Sequence, residues 1–127
     1  MEILIKNNVT PVFSATTHDM NGQLLNTNAD TIASELAIAF AKDYKTELYY
    51  CFEKNGVLQD VNDDDSVIEN INTKTYKTLI EQKIIADGML PKLKNSIHAI
   101  RNKVHKVHIG KPEMLFESTL HTTIQAK

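Results

Sequence analysis

Two short polar segments carry the side chains with most scope for chemistry. One is Asn26-Thr27-Asn28-Ala29-Asp30; the other, further along, is Asp87-Gly88-Met89-Leu90-Pro91-Lys92. Each lies at the mouth of a predicted helix. In an extended segment, residues two apart face the same side, so Asn26 and Asn28 point two carboxamides at one place. A carboxamide donates to a carboxylate and accepts from an N–H. The helix N-terminus that follows offers free N–H groups and partial positive charge, a site for an anion. Asp30 would repel that anion, so its chemical role there is to hold cations. The plain alternative is that Asn28 or Asp30 caps the helix, since both types are favoured at that position. Lys92 stands in the first turn of its helix, where the dipole disfavours a cation. It either serves an anion drawn to the same helix end or reaches into water, as exposed lysines do.

Other reactive side chains form weaker patterns. His98, His105 and His108 lie close in sequence. The spacing of His105 and His108 would put them on opposite faces of a strand, and zinc would want a third ligand in reach. They are read as structural. His18 and Asp19 are adjacent in a loop, and Ser14, Ser34 and Ser66 lack a nucleophile-elbow context. Val61 to Asp65 (VNDDD) has neither the alternating ligands nor the central glycine of a calcium loop, so it reads as a solvated turn. Gly22, Gly56, Gly88 and Gly110 do not cluster, and neither the P-loop nor the G-x-G-x-x-G pattern occurs. A nucleotide here would be held without the usual triphosphate cradle.

The elements that must position these groups can be read from periodicity. Val9–Ala15 reads as a strand, and Asn21-Gly22 as the turn of a hairpin with arms 16–20 and 23–27. Ala29–Ala41 carries a helical apolar stripe through Ile32, Ala33, Leu36, Ala37 and Phe40. Glu47–Phe52 has strand length and composition. Helices follow at Thr75–Ile84 and Leu90–Asn102, the second with an apolar stripe through Leu90, Leu93, Ile97 and Ile100 and with Pro91 in its first turn. Val104–Ile109 reads as a strand, Pro112–Leu120 as a short helix and Thr122–Gln125 as a last strand. Alternating strands and helices predict an α/β layer fold with a mainly parallel sheet.

Composition sets the bounds. The 127 residues suit a single domain. The net charge of −2 lacks the basic excess of a nucleic-acid binder. No apolar run approaches the roughly 20 residues of a membrane helix, and the N-terminus is too short and polar for a secretory signal. The lone Cys51 makes no internal disulfide and is expected to pack as a small hydrophobe. A soluble cytoplasmic protein is the expectation.

A resemblance joins the two polar segments. Pro11-Val12, Gly22–Asp30, the helix after them, Asn55-Gly56-Val57-Leu58, Asp87–Lys92 and Val104–Gly110 resemble the C-terminal half of acetylglutamate kinases, within the amino acid kinase family. The resemblance covers nearly the whole chain. It implies a three-layer α/β/α sandwich, with residues 1–127 as one ATP-binding domain and the N-terminal, acylglutamate-binding half of the kinase absent. The implied reaction moves the γ-phosphoryl of ATP to the side-chain carboxylate of an N-acylglutamate, in arginine biosynthesis. Asn26 and Asn28 would then bind the acylglutamate. Asp30 would organise catalytic lysines, and Lys92 would stabilise the travelling phosphoryl group. Glu53, Lys54, Asn55, Gly56, Val57 and Leu58 would contact nucleotide, with Ile84, Ile85, Ala86, Gly88 and Met89. Implied cofactors are ATP and Mg²⁺ carried on it, with no metal ligands of the chain's own. Implied partners are these small molecules, without nucleic acid or membrane, and homo-oligomerisation belongs to the full-length enzyme.

Several positions depart from the family pattern. Phe52-Glu53 stands where a Ser, Thr or Asn followed by Asp is usual, Thr17 where a glycine is usual, and Thr122-Thr123 where Gly-Thr is usual. The family's Gly-rich phosphate loops, second catalytic lysine and substrate-gripping arginine have no counterpart in the chain. The chain is accordingly expected to be inactive alone. A sibling kinase of the same fold and a non-catalytic module that kept the fold are the competing readings.

Overall fold

The computed structural model describes residues 1–85 and 87–127, so Ala86 lies outside the described residues. The elements are helix α1 (Glu2–Lys6), strands β1 (Thr16–His18) and β2 (Leu24–Asn26), helix α2 (Ala29–Phe40), strands β3 (Glu47–Cys51) and β4 (Asn70–Ile71), helices α3 (Thr73–Glu81) and α4 (Leu90–Arg101), and strands β5 (Lys106–Gly110) and β6 (Thr122–Ile124). A 3₁₀ turn at Asp87–Met89 leads into α4, and another spans Pro112–Leu115.

The main sheet has the order β3-β5-β6-β4, so β3 and β4 are its edges. β3 runs parallel to β5 and β4 parallel to β6, while β5 and β6 are antiparallel. The sheet is therefore mixed but mainly parallel, and the chain is of the α/β class. Leu48 pairs with Val107 and Tyr50 with Ile109, which puts these four on one face. That face, continued by Ile124 and Ile71, forms one core with α2 and α4.

Local chemistry explains the helices. Asn28 caps α2, its Oδ1 accepting from the N–H groups of Asp30 (2.9 Å) and Thr31 (3.3 Å). Asn72 and Thr75 form a reciprocal capping box on α3. Helix α4 buries Leu93, Ser96, Ile97, Ala99 and Ile100, close to its predicted stripe. The buried face of α2 is rotated from prediction towards Ser34 and Ala37. α2 and α4 pack with small residues at their contact, Ser34 and Ser96 both buried, and Ser34 donates to the Asn95 carbonyl at 3.3 Å. Ile32 and Leu36 instead border a groove against residues 11–15, and Ala33 both borders that groove and packs against the core.

Some expectations give way. The strand expected over Val9–Ala15 does not form: Pro11 lacks an N–H, no strand among the described residues pairs with the segment, and Val12 is 92% exposed. The hairpin forms as β1 and β2. Its turn is closed by Asp19, which accepts from Asn21 N–H and Gln23 N–H and is held below the usual carboxylate range by those bonds. Met20 and Gly22 take positive φ there, where Asn21 and Gly22 were expected to. The helix predicted at 112–120 is only the 3₁₀ turn. Cys51 is exposed, because its position in β3 faces away from the core.

The other sheet face carries a polar cluster. His108 stacks on Tyr49 with ring centroids 4.5 Å apart and lies 3.2 Å from His121. His105 and His108, expected on opposite faces, both reach Glu47 (4.0 and 3.6 Å), because β5 begins only at Lys106. Burial, then the adjacent His121, hold His108 below the ordinary histidine value, while Glu47 pulls the other way. The unfolded chain therefore takes up this proton before the folded one does. Stability is expected to fall as pH drops below about 6.5. His108→Gln should flatten that fall, measured by urea unfolding at neutral and mildly acidic pH.

Candidate active site

The small-residue contact between α2 and α4 brings their N-termini together. Asp30 sits in the first turn of α2 and Lys92 in the first turn of α4. Their side chains meet, Lys92 Nζ to Asp30 Oδ2, at 2.6 Å, with 22% and 24% of each side chain exposed. A lysine facing a helix N-terminus is disfavoured by the dipole, and Asp30 offsets that cost. The result is a cation held over paired helix N-termini, half-shielded from water.

Tyr50 of β3 supports this pair from below. Its hydroxyl donates to the Asp30 carbonyl at 2.8 Å, and Lys92 Nζ lies 5.7 Å from its ring centroid. Burial raises the Tyr50 phenol well above its usual range, the Asp30 carboxylate raises it further, and the Ser34 hydroxyl acts in the opposite sense.

Lys92 also borders a cleft of about 350 Å³, lined further by Phe52, Glu53, Lys54, Gly56, Val57, Leu58, Val61, Gly88 and Met89. Its walls are mostly apolar with a few charges, the usual make-up of a small-molecule site. The loop after β3 that forms one wall is pinned to β6. Val57 N–H donates to the buried Thr122 Oγ1 at 2.8 Å. A Cβ on Gly56 would come 2.6 Å from that same Oγ1 and 2.8 Å from Val67, so the approach requires glycine. Thr122→Val should leave the Val57 N–H unpartnered and cost about 1–3 kcal/mol, read from urea unfolding. Lys54 pairs with Asp64 at 2.7 Å, which lowers the Asp64 pKa and ties the cleft wall to the acidic loop.

The sequence-predicted residues thus gather unevenly. Lys92, Asp30 and Asn28 share the helix mouths. Glu53, Lys54, Gly56, Val57, Leu58, Gly88 and Met89 share the cleft, and Lys92 belongs to both groups. Asn55 turns its side chain to the Asp64 carbonyl at 3.0 Å. Ile85 is buried in the core, with Ile84 packed against it. Asn26 ends β2 and is exposed. The oxygen of Asn28 is engaged in capping, which realises the plain reading of that residue. Sequence reasoning missed Tyr50, Val61 and the anchoring role of Thr122. For Tyr50 the signal was present: alternation from Leu48 puts it on the helix-facing side of β3.

Comparison with known proteins gives the family and the fold. Residues 1–111 match the amino acid kinase family. An acetylglutamate kinase from Cytophaga hutchinsonii is 50% identical over 114 residues, which is 90% of this chain and 43% of the relative. Among solved structures, smu.665 from Streptococcus mutans UA159 superposes with a TM-score of 0.81 at 27% identity, covering 99% of this chain and 46% of that one. Giardia carbamate kinase shares the fold, with a TM-score of 0.70 at 17% identity over 99% of this chain and 46% of its own. The chain spans less than half the length of the curated relatives it matches. Since the family match spans residues 1–111, which include the hairpin, both helix mouths and the cleft loop, the chain belongs to the amino acid kinase family.

Proposed function

We propose that these residues form the nucleotide-binding half of an N-acylglutamate kinase. ATP would give its γ-phosphoryl group to the side-chain carboxylate of N-acetylglutamate or another N-acylglutamate, a step of arginine biosynthesis in the cytoplasm. The observation that carries the reading is the double membership of Lys92, which is both a wall of the cleft and the partner of Asp30. A nucleotide lying in the cleft directs its phosphates at the α4 mouth, where Lys92 is the cation.

The chemistry asks little else of the chain. A carboxylate is ionised at neutral pH, so no general base is required. The barrier lies in bringing an anion onto a polyanion, which positioning and fixed positive charge relieve. Lys92, held at the mouths of α2 and α4, supplies such charge. Asp30 keeps the lysine aimed at the transfer point rather than at the substrate carboxylate. The apolar stretch of Phe52, Val57, Leu58 and Met89 suits a base, and Glu53 suits ribose hydroxyls as an acceptor. Glu53 is the one carboxylate bordering the cleft among the described residues, so Mg²⁺ fits as an ion carried by the phosphates. When bound it supplies further charge neutralisation on the phosphate oxygens. Asn26 and Asn28 flank the entry to α2, where an acylglutamate would lie.

The test is a fusion of this chain to the part of the Cytophaga relative outside the matched region. Acyl phosphate, trapped with hydroxylamine, is expected from ATP with N-acetylglutamate or N-succinylglutamate and not from aspartate or carbamate. The 127 residues alone are expected to give none. Product from carbamate or aspartate instead would move the assignment to a sibling kinase. Turnover by the chain alone would refute the half-site reading.

A further inference from the structure

Lys92 is held by more than its carboxylate. The side chain beneath it, Tyr50, is 4% exposed and comes from the C-terminal end of β3 rather than from either helix. Its hydroxyl donates to the Asp30 backbone carbonyl at 2.8 Å, which ties the first turn of α2 to the sheet. Its ring sits 5.7 Å from Lys92 Nζ, within the roughly 6 Å over which an aromatic face attracts an ammonium. One side chain therefore touches both partners of the ion pair, Asp30 through its hydroxyl and Lys92 through its ring.

The two contacts do different work. The hydroxyl fixes where the Asp30 backbone lies, and so where its carboxylate begins. The ring gives the lysine a second place to rest, on the side of the pair that faces the core. A lysine held by a carboxylate alone swings through several rotamers about a single contact. A lysine held between a carboxylate and an aromatic face has its direction restricted, which is what an electrostatic stabiliser needs.

We propose that Tyr50 is a positioning residue for Lys92, acting on its orientation towards the phosphates of a bound nucleotide. This rests on the kinase reading above for the identity of the ligand, but the positioning itself does not. A tyrosine that only filled the core would stabilise the fold and leave the behaviour of Lys92 untouched. A positioning tyrosine changes how the protein distinguishes a long phosphate chain from a short one.

The experiment compares wild type, Tyr50→Phe, Tyr50→Leu and Lys92→Ala in the 127-residue chain. Calorimetry gives the affinities for MgATP and for AMP, and NMR gives the Lys92 ε-methylene shift. Wild type is expected to prefer MgATP over AMP and to show those methylene protons shifted upfield by the ring. Tyr50→Phe keeps the aromatic face and should stay within about 2-fold in the preference, with the shift retained. Tyr50→Leu should lose the shift and compress the preference about 5-fold, towards the value for Lys92→Ala. A lower melting temperature with both readouts at their wild-type values would overturn the proposal, since that is the signature of a merely structural tyrosine. Tyr50→Phe behaving like Tyr50→Leu in both readouts would overturn the role of the ring. If wild type does not distinguish MgATP from AMP, the kinase reading fails by itself. The methylene shift then decides the positioning, supporting it if lost only in the leucine variant and overturning it if unchanged there.

Discussion

Lys92→Ala is expected to lower phosphoryl transfer in the fused enzyme by about 10²–10³-fold, the loss seen when one preorganised charge-stabilising donor is removed. The effect should fall on kcat, because the lysine meets its full load of charge only as the phosphoryl group travels between two anions. Lys92→Arg should recover part of the rate at most, since a planar fork does not reproduce a compact ammonium. Stability should change little, because the pair is partly exposed and such pairs contribute modestly. Asp30→Asn should also slow the reaction while raising the inhibition by excess acylglutamate, as a lysine released from its carboxylate binds the substrate anion instead. A steady-state assay separating kcat from KM for these variants checks the set. A rate for Lys92→Ala within 3-fold or so of wild type would remove the electrostatic role from this residue.

One position along the same helix the expectation reverses. Leu93 is fully buried in the core under α4. Leu93→Ala should cost about 2–5 kcal/mol, the range for a large apolar side chain deleted from a packed interior. For a chain of this size that is a large part of the total. The loss should appear as a lower urea midpoint with an unchanged slope, and nucleotide affinity should fall only as far as the folded fraction falls. Leu90→Ala, at a half-buried position on the same helix, should cost clearly less. Adjacent residues thus separate function from stability. Lys92 is expected to act on rate and Leu93 on folding, because successive positions on a helix point about 100° apart.

Much of this was legible in the residues. The stripe from Leu93 through Ile100 and the helix-starting Pro91 marked α4, and Asn28 before an apolar run marked the cap of α2. The hairpin followed from Asn21-Gly22. The meeting of Asp30 and Lys92 was not legible from spacing or periodicity. Those place each residue at a helix mouth but not the two mouths side by side, and only the family resemblance joined them. What brings them together is the close α2–α4 contact through Ser34 and Ser96, and serine carries no apolar signal. β4 escaped notice because Asn70–Ile71 is too short to show alternation. The strand expected at Val9–Ala15 misled for the opposite reason. Its composition suits a sheet, but a strand exists only with a partner, and composition does not supply one. His121 was passed over because its partner, His108, is reached across the antiparallel pairing of β5 and β6.

The position of β3 at the margin of the sheet has a consequence for handling the protein. Five residues long, it holds one hydrogen-bonded neighbour among the described residues, and its sequence ELYYC contains neither lysine nor proline to discourage strand addition. In these 127 residues taken alone, no strand among the described residues pairs with its outward amides, which leaves them able to take up an extended peptide. Concentrated solutions of these 127 residues alone should self-associate through this rim and turn thioflavin-positive on ageing, and Tyr49→Lys is the natural gatekeeper to install.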